Sequence, residues 1–378
     1  MQINAFLKST TLLGLLSFFS LIAKGSDSKD NTYYAGIEVG AKGVKLCIIN
    51  LAVKGPELAN KIVYESSINS DFTKFSGSAH DGTIAAVLTL YRMAHQNYKV
   101  NSENIFIAIS SGVKQTADRE KNNESIDLLK SSIRLVIQDS DKEIDLISVY
   151  KESIYAHNSI VPAEEKMKTI VIDIGSGNTK GGYYISQNVF NVFNIPWGTK
   201  STTSIVEKVC DTPCFSNDFI NFLSLKLNQI SDNDIPAAID KCGITKYNFK
   251  ILFTGGIAWA TATLAKPELI KEKQTLMTAK EAEAFHKKLI FNFESIENES
   301  FNAKFKEEKN RALSVFNKNN LIGGSGLLLR IMNKFDTGDE QKQFLLAKDN
   351  KSGWLPAYIV EKIETIKVLN NKATLNQH

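Results

Sequence analysis

The chain has 378 residues, of which 43% are hydrophobic and 23% charged, a balance that gives a globular protein enough core for two or three domains. Its formal net charge is +4, too small a surplus to announce a nucleic-acid partner, and none is expected. The first residues differ in kind. Lys8 is the only charge before the apolar run 10–23, and Ala23-Lys24-Gly25 offers small residues for cleavage. That pattern reads as a signal peptide over 1–25, and the run of 14 residues is shorter than the roughly 20 a spanning helix needs. The expectation is therefore an exported protein, periplasmic or secreted, with no stable membrane anchor after cleavage. Losing Lys8 and Lys24 leaves a formal charge of +2.

The four cysteines divide into Cys47, inside the apolar stretch 46–49, and the trio Cys210, Cys214 and Cys242. Cys47 reads as a buried thiol. Two of the other three are candidates for a disulfide in an exported chain, with the pairing open. Zinc is disfavoured because no histidine lies among them.

In chain order, residues 34–50 form an apolar strand that breaks at Gly40 and resumes after Gly43. Ile84, Val87, Leu88 and Tyr91 at helical spacing predict a helix over 82–98. A buried strand over 105–109 runs into Ser110-Ser111-Gly112. A helix follows at 126–137, then a strand at 144–149 and a helix beginning near Glu152 and ending near Pro162. The alternation implies an α/β lobe with helices on a mostly parallel sheet. Glu152 directly after a strand stands where open α/β sheets keep reactive groups, although a first-turn glutamate is also favoured by the helix dipole alone.

The stretch 169–184, TIVIDIGSGNTKGGYY, repeats the opening pattern about 135 residues later. Ile172-Asp173-Ile174-Gly175 stands where Ile37-Glu38-Val39-Gly40 does, and Lys180 falls in step with Lys45. A carboxylate at a strand end can hold a hydrated metal, and the glycines let backbone N–H groups approach a phosphate. The duplication suggests two related lobes facing one cleft. Beyond it come a strand over 188–195, a helix from about Ser201, a helical region over 216–240, and a strand over 250–254 turning at Gly255-Gly256 into a helix over 257–265. Residues 277–293 read as helix, 297–310 as a solvated helix or loop, 321–329 as an apolar helix whose Gly323 and Gly324 serve packing, and 355–368 as a last element. His157 reads as a core or helix-surface histidine.

With these pieces in order, the chain resembles the exopolyphosphatase and guanosine pentaphosphate phosphohydrolase family of the acetate and sugar kinase, heat-shock ATPase and actin superfamily. Glu38-Val39-Gly40 looks like the first phosphate loop, Asp173 to Thr179 like the second, and Glu152 falls at the family's catalytic glutamate. Pro196-Trp197-Gly198, Thr254-Gly255-Gly256 and Gly323-Gly324 follow in the family's order. Secreted nucleoside triphosphate diphosphohydrolases resemble the segment 152–156 too, but their tryptophan-containing C-terminal motif has no counterpart here.

The resemblance implies two duplicated actin-like (ribonuclease H-like) α/β lobes around a central cleft, spanning 26–160 and 161–378. It implies an exported hydrolase acting on polyphosphate or a nucleotide polyphosphate, with a possible homodimer. Glu152 would be the base, and Asp173 and Glu38 would hold Mg²⁺ or another divalent cation. Gly40, Lys42, Ser111, Gly175, Ser176, Gly177, Asn178, Thr179, Gly255 and Gly256 would meet phosphate. Glu38, Ala41 and Lys42 depart from the usual aspartate, serine and asparagine, and Ser176 from a glycine. These departures motivate the alternative of a non-catalytic phosphate-ligand or nucleotide binding protein. A kinase suits the superfamily but not an exported compartment, where ATP is scarce.

Overall fold

The computed structural model describes residues 32–54, 57–210, 216–244, 249–336, 342–348 and 352–375; the leader 10–23 and Cys214 lie outside them. Three strands, β1 (Tyr33–Val39), β2 (Gly43–Lys54) and β3 (Glu57–Asn69), make an antiparallel meander. Helix α1 (Gly77–Arg92) leads to β4 (Ile105–Ile109), parallel to β1. Helices α2 (Ser111–Arg119) and α3 (Glu124–Ile137) lead to β5 (Ile144–Leu146), which completes a sheet of order β3-β2-β1-β4-β5.

Alternation along these strands sends side chains to both faces, and both are covered. Ile37, Val39, Leu46, Ile107 and Ile109 pack with Val87 and Leu90 of α1 and Ile133 of α3. On the opposite face, Cys47, Ile49, Phe106 and Ala108 pack with Tyr155, Tyr358 and Ile359. Cys47 is the buried thiol its apolar neighbours predict, with burial pushing its pKa up to about 12.

Helix α4 (Val149–Ile160) follows, capped by Ser148, whose hydroxyl accepts the Lys151 N–H at 3.2 Å. The second sheet then opens as the first does. Strands β6 (Thr169–Ile174), β7 (Thr179–Ser186) and β8 (Val189–Ile195) form a meander. After α5 (Thr199–Val209), α6 (Ser216–Gln229) and α7 (Ile235–Cys242), β9 (Lys250–Thr254) lies parallel to β6.

Next come α8 (Gly256–Ala265), β10 (Gln274–Thr278), α9 (Ala279–Phe291), α10 (Phe293–Glu297), α11 (Ala303–Val315), α12 (Lys318–Phe335) and β11 (Gln343–Ala347). The sheet order is β10-β11-β9-β6-β7-β8. Its core joins Ile172, Phe193 and Phe253 to Ile257, Leu289 and Leu328. On α12 the glycines act as packing residues. A Cβ on Gly323 would lie 2.4 Å from Thr203 Cγ2, and one on Gly324 2.6 Å from Ile257 Cγ1.

Four expectations are corrected. Residues 277–293 are not one helix: Met277 belongs to β10, and α9 starts after Thr278, whose hydroxyl accepts the Glu281 N–H at 3.2 Å. The charge-rich segment 297–310 is not simply solvated, because Glu308 and Lys309 are buried and the Lys309 ammonium donates to the Glu299 carbonyl at 2.7 Å. The strand expected over 144–149 ends at Leu146, since Ser148 already caps α4. The chain beyond residue 161 does not all build on the second sheet. Helix α13 (Leu355–Leu375) returns to the first, where a Cβ on Gly36 of β1 would meet Ile359 at 2.9 Å.

Candidate active site

Each sheet presents the same local device. In the first hairpin Glu38 stands opposite Lys45, and in the second Asp173 stands opposite Lys180. In both, the amide of the glycine closes the turn. Gly40 N–H donates to the Gly43 carbonyl at 2.9 Å, and Gly175 N–H to the Asn178 carbonyl at 3.0 Å. A parallel strand beside each acid ends in a strand-to-helix turn, at Ser110-Ser111 after β4 and at Gly255-Gly256 after β9. Gly255 has φ +92, and a Cβ there would lie 2.4 Å from Asp173 Oδ1. This turn therefore admits only glycine.

Helix α4 brings the two devices together because it packs against both sheets. The Tyr155 hydroxyl donates to Glu361 of α13 at 2.9 Å, and the His157 ring joins the Thr169 carbonyl of β6 through Nε2 at 3.0 Å. His157 is thus a core residue, edge-on to Tyr184 and Phe190, and burial pushes its pKa down to about 4. One turn earlier, Glu152 is only 1% exposed. Its Oε2 accepts the Ser111 N–H at 2.7 Å, and its Oε1 lies 2.9 Å from the Lys180 ammonium. Lys180 also reaches Asp173 Oδ2 at 3.0 Å, so one ammonium spans an acid from α4 and an acid from β6. Burial by itself would lower the Lys180 pKa, but Asp173 and Glu152 outweigh it and hold the ammonium above the ordinary lysine range.

Glu38 pairs with Lys45 at 3.1 Å. Burial raises its pKa despite the opposing pull of Lys45, with Glu152 adding repulsion. Around these groups lies a cleft of ≈ 210 Å³, lined by Gly40, Gly175 to Asn178, Gly255 and Gly256 among others. Lys42, Lys45, Lys180, Arg311 and Lys348 line it too, against the carboxylates of Glu38, Glu152 and Asp173.

Not every expected residue faces the cleft. Ser111 and Thr179 are buried behind it: Ser111 Oγ accepts from Asn178 Nδ2 at 3.2 Å, and Thr179 Oγ1 donates to the Trp197 carbonyl at 2.8 Å. Lys42 lines the cleft, but its ammonium is drawn to the α11–α12 corner, donating to the Val315 carbonyl at 3.1 Å and to Asn320 Oδ1 at 2.5 Å. Lys180 lines the cleft although no motif marks it; its step with Lys45 in the sequence is the one signal that points to it. Trp259 and Arg311 form a further wall, with the guanidinium 4.4 Å from the indole and both groups bonded to Glu308. No local pattern announces that pair, because Arg311 sits next to the charge-rich segment.

A magnesium ion takes octahedral oxygen ligands, usually one or two free carboxylates completed by waters and substrate phosphates. Here each of the three carboxylates already holds a lysine ammonium at 2.9 to 3.1 Å. Among the described residues no group of three or more His, Cys, Asp or Glu side chains could hold a metal ion. The donor set does not fit a resident divalent cation.

Two sheets that each begin with a hairpin, a glycine turn and a parallel neighbour, enclosing one acidic and lysine-rich cleft, define the duplicated actin-like fold. Solved structures similar in fold include Ppx/GppA and exopolyphosphatase proteins. The Ppx/GppA family member of Aquifex aeolicus is similar at 15% identity, covering 88% of this chain and 98% of that one with a TM-score of 0.57. An exopolyphosphatase from Cytophaga hutchinsonii matches at 13% identity, 84% and 94% coverage and a TM-score of 0.59. An exopolyphosphatase-like protein matches at 13%, over 89% of this chain and all of that one, with a TM-score of 0.61. No protein-family model matches the sequence. No curated protein matches it either.

Proposed function

We propose that the chain is an exported phosphohydrolase that cleaves phosphoanhydride bonds of polyphosphate or a nucleotide polyphosphate. The observation that carries this reading is the convergence of Glu152 with two glycine turns from separate sheets in one cleft. A carboxylate offers about four lone-pair sites. Glu152 uses one on Ser111 N–H and one on Lys180, so it keeps capacity to orient a water and take its proton. The amides of Ser176 and Gly177 would meet the phosphoryl oxygens, and Lys180 would offset the charge developing there.

Beside the cleft, and sharing Ala41, Lys42, Ser176 and Gly177 with it, lies a cavity of ≈ 530 Å³ that also carries Lys74, Arg119, Lys200 and Lys208. Acids are present there as well, with Asp71 pairing Lys74 at 3.0 Å and Glu120 pairing Lys208 at 3.0 Å. A chain of several phosphates would find room in it.

Export is supported by the leader pattern of residues 10–23 and by Cys210, which is disulfide-bonded while Cys47 and Cys242 are free thiols. Disulfides persist in oxidising compartments. Among the described residues no helix is long and apolar enough to cross a membrane.

The test is phosphate release from polyphosphate, guanosine pentaphosphate, ATP and ADP by the mature protein and by Glu152→Gln. Loss of turnover in a folded Glu152→Gln supports the assignment; unchanged turnover removes Glu152 as the base. A second reading, a non-catalytic phosphate-ligand binding protein, is favoured by the engagement of both Glu152 oxygens and by the diversion of Lys42. Calorimetry that finds ligand binding without any phosphate release selects it.

A further inference from the structure

We propose that the Lys180 ammonium is the resident cation of this cleft, standing where a divalent metal would have to bind, so that phosphate ligands are held without one. The inference rests on the reading of the cleft as a phosphate site and concerns how that site balances its charge.

Three observations carry it. First, Lys180 is 3% exposed, and its Nζ lies 2.9 Å from Glu152 Oε1, 3.0 Å from Asp173 Oδ2 and 3.4 Å from Asn178 Oδ1. It therefore lies among oxygen atoms from α4, β6 and the turn between β6 and β7, the mixed set a metal would recruit. Second, the register fixes it there. Lys180 is the cross-strand partner of Asp173, as Lys45 is of Glu38, so the hairpin delivers an ammonium beside each acid before any ligand arrives. Third, the cleft does not need a metal to attract an anion. Lys45 and Lys180 already stand among its carboxylates, Arg311 lines its wall paired with Glu308, and the turn amides add further donors for an anion.

A lysine in this role has a chemical consequence. An ammonium is a hydrogen-bond donor with no open coordination position, so Lys180 offsets one of the two charges of Glu152 and Asp173, and it does so without binding a water as a metal would. The attacking water then depends on Glu152, and the phosphate on the turn amides and the remaining lysines.

The experiment measures Mn²⁺ binding to the free mature protein by electron paramagnetic resonance, and tripolyphosphate binding by calorimetry in EDTA and in excess Mg²⁺. The wild type is expected to leave the Mn²⁺ signal unchanged, and tripolyphosphate affinity to be the same with and without Mg²⁺ once free-ligand chelation is accounted for. Lys180→Glu is expected to gain Mn²⁺ binding by at least about tenfold, and Asp173→Asn in that background to lose it. Mn²⁺ binding by the wild type that disappears in Asp173→Asn overturns the proposal. So does tripolyphosphate binding that vanishes in EDTA, or a folded Lys180→Glu that gains no Mn²⁺. The Mn²⁺ measurements involve no substrate, so a protein that binds or cleaves no phosphate compound fails the functional reading while leaving this assignment to be decided by the metal alone.

Discussion

Gly112 and Gly177 pack so closely that a Cβ on Gly177 would lie 2.6 Å from the Gly112 carbonyl oxygen. One glycine opens α2 beside the first sheet and the other lies in the turn between β6 and β7, so this contact holds the two halves of the cleft in register. Backbone cannot yield as a flexible side chain can. Gly177→Ala is expected to cost about 1–3 kcal/mol and to weaken phosphate-ligand binding in calorimetry. Gly112→Ala, whose Cβ would meet the Asn178 amide oxygen at 3.0 Å, should cost less; an equal or reversed effect would show that the turns do not bear on each other.

Gly255 is the position where backbone and chemistry meet. With φ at +92 and Asp173 Oδ1 2.4 Å from a would-be Cβ, Gly255→Ala must strain the turn by about 1–3 kcal/mol and displace the carboxylate. Phosphate release should fall further than thermal stability does. A variant with normal turnover would mean that Asp173 has no part in the reaction.

Helix α13 belongs structurally to the first sheet, and Ile359 is fully buried against Gly36 of β1 and in the cluster that holds Cys47, Ile49, Phe106 and Ala108. Ile359→Ala is expected to cost about 2–5 kcal/mol, read as a lower denaturation midpoint. Because Glu361 on the same helix accepts from Tyr155 of α4, the variant should also lower turnover by loosening the helix that carries Glu152.

Stability should also depend on pH through two buried histidines. Burial pushes the pKa of His157 from the ordinary 6.5 down to about 4, with Lys166 assisting and the Thr169 carbonyl opposing. His286, bonded to Ser325, is likewise pushed down to about 4 by burial and then by Arg330, against Glu283. Between pH 6.5 and 4 the unfolded chain binds protons that the folded chain refuses, so stability falls as pH drops through that window. The loss levels off below it, at roughly 3 kcal/mol for each histidine. Replacing His157 by Gln should flatten the denaturation midpoint against pH in this range. An unchanged slope would show that His157 is not kept neutral by its surroundings.

The local devices of the cleft were legible in the residues because they are built from neighbours in the chain. Glu38 with Lys45 and Asp173 with Lys180 share one spacing, since each pair spans one hairpin, and the glycines mark turns that other residues fit poorly. The burial of Cys47, the strand at 105–109 and the packing role of Gly323 and Gly324 followed from apolar runs in the same way. Strands β10 and β11 did not show themselves, because they are set by partners far along the chain: β11 lies between β9 and β10, whose intervening segments are long; β3, an edge strand on its neighbour β2, did not show itself either. Lys42 has the composition of a phosphate ligand, yet its ammonium goes to Val315 and Asn320. The bond from Lys180 to Glu152 joins a hairpin strand to a helix of the preceding segment. By itself the sequence determined two acid-and-lysine hairpins, because strand register is a property of the adjacent chain. Only the tertiary structure decided that one lysine serves both Asp173 and Glu152, because packing α4 between the sheets is what puts the three groups within reach.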